Sequence, residues 1–182
     1  DYVFAGDKTT PYLPDDPIAP KSVYGQSKAA GERAVRAATP NHCILRTAWL
    51  YGPGGNNFPE KMLRLAASRP SLRLVEDEIG SPTHTYDLAQ ATLAAVNACA
   101  RGTFHAVNAG ACSRYEFALE VFRLAGVHIE TTPCRADEFP TKAARPRYSV
   151  LDTTTFVAAT GWKMFPWQDT LAHYMQRREA IT

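Results

Sequence analysis

The chain lacks any apolar run approaching the ~18 residues of a membrane-spanning helix, so no membrane partner is expected. It lacks a leading methionine and a basic stretch ahead of an apolar one, so no signal peptide is expected at Asp1. It lacks a charge excess: a net charge of +2 with 21% charged residues gives no reason to expect nucleic acid or an acidic surface as a partner. Cysteine is scarce and scattered. Cys43, Cys99, Cys112 and Cys134 form no C-x-x-C pair, and none has a histidine at zinc-ligand spacing, so no metal site is expected. His42 adjoins Cys43, but neighbours on a strand point to opposite faces. The four cysteines read as reduced thiols of a cytoplasmic protein. Internal repeats, low-complexity tracts and a G-x-G-x-x-G turn are all missing. The one glycine cluster, Gly52-Pro53-Gly54-Gly55, lacks that spacing, and Pro53 removes an N–H donor, so it reads as a loop rather than a phosphate cradle.

What is present suits one domain with room for a small lobe: 182 residues, 45% of them hydrophobic. Asp1–Phe4 reads as the end of a strand. A loop from Gly6 to Pro20 follows, in which four prolines forbid regular structure. Ser22 can cap a helix to about Ala38. His42–Trp49 reads as a buried strand, Phe58–Ser68 as a helix with Pro59 in its first turn, Leu72–Val75 as a short strand, Thr85–Ala100 as an alanine-rich helix and Thr103–Val107 as a strand. Ser113-Arg114-Tyr115-Glu116 is a capping box opening a helix that Gly126 stops. Val127–Thr131 reads as a strand. Asp152 caps a short helix ending before Gly161, and a last helix covers Trp167 to about Arg178. Strands alternating with helices imply βαβ units, hence an α/β fold with a mostly parallel sheet.

The strongest chemical constellation is Tyr24-Gly25-Gln26-Ser27-Lys28. On a helix, positions i and i+4 share a face, so the phenol and the ammonium can meet one ligand. A cation beside a phenol favours the phenolate, which makes the pair a general acid/base suited to protonating an alkoxide formed when hydride reaches a carbonyl. A tyrosine and a lysine on a solvated helix face give the same spacing.

The flanking residues extend the pattern. Pro20-Lys21-Ser22-Val23-Tyr24-Gly25-Gln26-Ser27-Lys28 resembles the P-x-x-x-Y-G-x-S/T-K segment of extended short-chain dehydrogenase/reductases, and Asp1-Tyr2-Val3-Phe4 with Gly6 resembles their D-Y-V-F-x-G strand end. Leu45-Arg46-Thr47-Ala48-Trp49-Leu50-Tyr51-Gly52, Gly54-Gly55-Asn56-Asn57-Phe58, Ile79-Gly80-Ser81-Pro82-Thr83 with Asp87-Leu88-Ala89, and Arg145-Pro146 through Ser149 to Leu151-Asp152 resemble the dTDP-4-dehydrorhamnose reductase family. The resemblance spans nearly the whole chain. It implies the C-terminal part of a Rossmann-like parallel-sheet domain interleaved with segments of a small substrate-binding lobe. It implies NADPH or NADH as cofactor and a dTDP-sugar as substrate, and leaves a homodimer open. Tyr24 would donate the proton, and Lys28 would hold the nicotinamide ribose. Asp1 would lie at the sugar. Trp49 would pack on the deoxysugar, or simply in the core. Arg145 would reach the diphosphate, or stand solvated in a loop. Asn57 would bond substrate, or cap the following helix.

The departures are as informative. The catalytic threonine or serine of the family would precede Asp1, and the phosphate-binding glycine turn is not in this sequence, so the chain is expected to be a fragment of a longer parent that by itself holds NADPH poorly. Glu78 stands where the family usually has glutamine. A rival reading is a non-catalytic binding subunit like the regulatory subunit of methionine adenosyltransferase, which resembles the same family. Another is a different nucleotide-sugar reductase or epimerase.

Overall fold

A computed structural model describes residues 1–139 and 145–178. The helices are α1 (Val23–Ala38), α2 (Phe58–Ser68), α3 (Thr85–Asn97), α4 (Arg114–Ala125), α5 (Thr154–Thr160) and α6 (Trp167–Arg178). The strands are β1 (Cys43–Arg46), β2 (Leu50–Tyr51), β3 (Ser71–Val75), β4 (Ile79–Gly80), β5 (Thr83–His84), β6 (Gly102–His105), β7 (Cys112–Ser113) and β8 (Glu130–Cys134). They pair two by two. β1–β6, β2–β5 and β3–β8 are parallel, and β4–β7 is antiparallel. The mostly parallel α/β arrangement expected from the alternation is thus present.

Helix boundaries follow local capping chemistry. Ser22 accepts from the Gly25 amide, and Asn57 accepts from the Glu60 amide. Ser113 and Glu116 close their capping box, and Gly126 ends α4 at φ 64, a left-handed geometry that costs glycine little. Asp152 accepts from the Thr154 amide at 2.8 Å and so serves α5, although Thr153 occupies the capping position itself.

The strand expectations need correction. Asp1–Phe4 is a turn, closed by the Phe4 amide on the Asp1 carbonyl at 3.1 Å. The strand expected over His42–Trp49 ends at Arg46. The chain then bends and resumes as β2, because Trp49 adopts a left-handed φ of 47. The strand expected at Val127–Thr131 lies instead at Glu130–Cys134: the α4 cap holds on to Val127, whose amide donates to the Phe122 carbonyl. α3 stops at Asn97, short of the expected Ala100, and Thr103–Val107 is a strand only to His105.

Three buried apolar clusters fill the molecule. One packs α2, α4 and α6 against β3 through Phe117, Val121 and Leu171. A second joins Val3, Phe4 and Tyr12 to Ala29 of α1, Ala48, Val107 and Leu151. A third sits under α3 and α5, around Phe104 and Phe156. Trp49 borders both of the first two.

One buried ion pair fixes α1 to β1. Arg46 is 5% exposed and Glu32 is 8% exposed. Arg46 donates Nε to Glu32 Oε1 and Nη2 to Oε2, both at 2.7 Å, and Nη1 to the Pro14 carbonyl at 2.8 Å. Arg36 adds a bond to Oε2 at 2.8 Å. Burial pushes the Glu32 carboxyl up, but the bonds and charge of Arg46, then Arg36, outweigh it and hold the carboxyl below its ordinary range. Glu32→Ala is expected to cost about 3–5 kcal/mol, since it strands a buried guanidinium; urea unfolding measures it. Because the folded-state carboxyl titrates below the unfolded one, the pair's contribution is present above the ordinary glutamate range near ~4.3 and is lost as pH falls through the lower folded value. Acid unfolding of Glu32→Gln should lack that component.

Candidate active site

α1 presents two neighbouring stripes. Gly25, Ala29 and Glu32 are buried against the body of the protein. Tyr24, Lys28 and Gly31 lie beside them and line a cavity of about 560 Å³ with Asp1, Arg46 and Thr47. Lys28 Nζ is 5.4 Å from the centroid of the Tyr24 ring, so the i, i+4 pair expected from sequence shares one face of the helix. Tyr24 is 56% exposed, and its ring meets the Tyr2 ring edge-on at 5.3 Å. Glycine at position 25 has a steric cause. A Cβ there would stand 2.2 Å from the Tyr2 carbonyl oxygen and 3.0 Å from the Pro20 Cβ.

The backbone nitrogen of Asp1 donates to the Thr47 carbonyl at 2.9 Å, which ties residue 1 to the end of β1. Asp1 Oδ2 and Thr47 Oγ1 are buried, and neither has a hydrogen-bond partner among the described residues. Buried polar atoms are nearly always paired, so two unpaired ones in the wall of one cavity are candidate contacts for a ligand's polar groups.

A second group of side chains gathers around Trp49. The Arg114 guanidinium lies over the indole, its Cζ 3.4 Å from the ring centroid. Arg114 Nε is 3.6 Å from Glu78 Oε2, and Arg145 Nη1 is 3.9 Å from the same oxygen. Glu78 is itself buried. Burial pushes Arg114 down to about 10 against the pull of Glu78, and the Tyr2 phenol is among the charges that act on it. Arg145 arrives there because residues 147–149 run beside β4: Ile79 donates to the Arg147 carbonyl at 2.7 Å and Ser149 donates to the Ile79 carbonyl at 2.8 Å. Asp77, next to Glu78, anchors the same segment by accepting from Arg147 Nη1 at 2.7 Å, and separately accepts from the Ala136 amide at 2.7 Å. A left-handed φ on a residue as bulky as tryptophan costs about 1–3 kcal/mol and persists only where packing over-determines it.

The expected residues thus separate into groups. Asp1, Tyr24 and Lys28 share a cavity, and Trp49 and Arg145 meet through Glu78 and Arg114. Asn57 joins neither. Its carbonyl oxygen caps α2, and its amide donates to the Gly52 carbonyl at 2.6 Å and to the Tyr174 hydroxyl at 3.2 Å. His84 and His105 are buried, and His105 is pushed down to about 4 chiefly by burial, which keeps it neutral near pH 7. Tyr2 and Arg114 are the residues sequence reasoning passed over. Arg114 sits within the capping box, where only the serine and glutamate drew notice. A cation in the first turn of a helix opposes the helix dipole, and that mismatch was the available signal.

The RmlD substrate-binding domain matches residues 1–180. The chain belongs to that family. It is 42% identical over 180 residues to the spore coat polysaccharide biosynthesis protein SpsK of Bacillus subtilis (strain 168), covering 99% of this chain and 63% of that protein. It superposes on the crystal structure of a dTDP-4-dehydrorhamnose reductase from Clostridium acetobutylicum with a TM-score of 0.94 at 41% identity, covering 98% of this chain and 63% of that one. The dTDP-4-dehydrorhamnose reductase of Bacillus anthracis, solved in complex with NADP, gives a TM-score of 0.91 at 36% identity, covering 97% and 62%. The chain spans less than two thirds of the length of each of these relatives.

The two glycines of α1 make a paired test of how the RmlD-type site is mounted. Gly25→Ala drives a Cβ into backbone and is expected to cost at least about 1–3 kcal/mol. A Cβ at exposed Gly31 would meet nothing within 4 Å. Gly31→Ala should therefore stabilise by about 0.5–1 kcal/mol, by removing freedom from the unfolded chain. Denaturant midpoints of the two variants check both signs.

Proposed function

We propose that this chain carries the proton-donating and substrate-binding part of an NAD(P)H-dependent reductase that converts dTDP-4-dehydro-L-rhamnose to dTDP-L-rhamnose. In this reading residues 1–182 are the C-terminal portion of a short-chain dehydrogenase/reductase domain, with Rossmann strands and substrate-lobe segments interleaved. The observation that carries it is the cavity in which Tyr24 and Lys28 stand together beside the unpaired oxygens of Asp1 and Thr47. Membership of the RmlD family supplies the substrate class.

The chain's own residues divide the work. Tyr24 is exposed toward the cavity and gives its hydroxyl proton to the 4-oxygen of the sugar as that oxygen becomes an alkoxide. Lys28, one turn on, offers N–H donors to ribose hydroxyls of a dinucleotide. Asp1 accepts from a sugar hydroxyl. Trp49 offers apolar surface to the 6-deoxy face, and Arg145, 43% exposed, offers a guanidinium fork to the diphosphate. A bound nicotinamide dinucleotide supplies the hydride. The fit to that group is partial: Tyr24 and Lys28 suit its ribose end, while the glycine cluster at 52–55 follows β2 as a plain loop and includes a proline.

No helix among the described residues is long and apolar enough to cross a membrane. Four free thiols, two of them exposed, fit a reducing compartment, and we place the protein in the cytoplasm.

The decisive assay follows NADPH oxidation that depends on dTDP-4-dehydro-L-rhamnose, in a full-length protein containing this chain. Tyr24→Phe is expected to lower turnover about 100-fold by removing the proton donor. Turnover unchanged by that substitution would refute the role of Tyr24, and a failure to oxidise NADPH with this sugar would refute the substrate.

A further inference from the structure

Trp49 is constrained from three directions. Its backbone is held at φ 47. Its five-membered ring edge abuts β4 so closely that a Cβ on Gly80 would stand 2.4 Å from Cε2 and 2.7 Å from Nε1. One face of the indole is covered by the Arg114 guanidinium at 3.4 Å. Arg114 has no freedom to serve elsewhere. It is the first residue of α4, and its amide donates to the Glu78 carbonyl at 3.2 Å. Its Nε is buried without a hydrogen-bond partner among the described residues, and the guanidinium is surrounded by the indole, by the Phe58 ring, whose centroid is 5.3 Å from Cζ, and by the Glu78 carboxylate at 3.6 Å. A flat cation stacks on an aromatic face in a way an ammonium cannot copy.

We propose that Arg114 is a positioning residue for sugar recognition: anchored by Glu78, it stacks on one face of Trp49 and fixes the ring that a ligand's sugar meets. This rests on reading the site as a nucleotide-sugar site. Arg114 makes its contribution through Trp49, so losing it impairs binding of the sugar and spares binding of the nucleotide.

The test uses the full chain with two probes, dTDP and dTDP-L-rhamnose, and follows the ¹⁵N-indole resonance of Trp49, identified by its disappearance in Trp49→Phe. In Arg114→Ala the Trp49 resonance is expected to shift or broaden. The Kd for dTDP-L-rhamnose is expected to rise on the order of tenfold while that for dTDP stays within about twofold. Arg114→Lys keeps the charge without the planar stack and should behave as the alanine variant does; it also serves should the alanine variant not fold. An unmoved Trp49 resonance, an equal loss for both probes, or full recovery by lysine would each overturn the proposal. If the unaltered chain binds neither probe, the nucleotide-sugar reading fails, and the indole resonance alone decides whether Arg114 positions the ring.

Discussion

The Arg46–Glu32 pair is the fastening on which the site depends. α1 carries Tyr24 and Lys28, and β1 leads into Thr47 and Trp49, so whatever joins the helix to the strand sets the distance between the acid/base pair and the rest of the cavity. The join is bidentate, almost fully buried, and extended to the Pro14 loop. Buried ion pairs are poor sources of stability, because desolvation consumes most of the Coulombic gain. Their best use is registration: only one placement of α1 satisfies both oxygens of Glu32 and all three nitrogens of Arg46. Arg46 also lies 5.0 Å from the Phe4 ring centroid, so the same guanidinium steadies the turn that begins with Asp1.

The second organising point is Trp49, where the apolar cluster of α2, α4 and α6 meets the cluster under α1. A regular strand through this position would carry β1 straight into β2. The left-handed residue breaks it, and the ring is carried to β4 and the start of α4. Two halves of the molecule distant in sequence are thereby brought into contact through one side chain and the arginine stacked on it.

What was legible in the sequence follows from how local each cause is. The start of α2 and both ends of α4 were readable because Pro59, the Ser113–Glu116 box and Gly126 act within a few residues. The Tyr24–Lys28 pair was readable because helical spacing fixes which side chains share a face. The strands were less so. β4, β5 and β7 are two residues each and have no periodicity to read, and β1 ends where tertiary packing imposes a bend that no propensity of tryptophan announces. Asn57 had two credible uses, and capping, which requires only a neighbouring amide, is present in the structure. Arg114 was hidden because its partner, Trp49, lies in a different element far along the chain.

The contact between Gly25 and the Tyr2 carbonyl gives the site an unusual kind of robustness. Backbone, rather than side chains, sets how low α1 sits beside Tyr2, and glycine is the one residue that allows so close an approach. Position and chemistry are thus separately adjustable. Substitutions elsewhere on the exposed face of α1 can retune the charge around Tyr24 over generations without lifting the phenol from its place, whereas position 25 has no such latitude. The helix behaves as a fixed mount with exchangeable fittings.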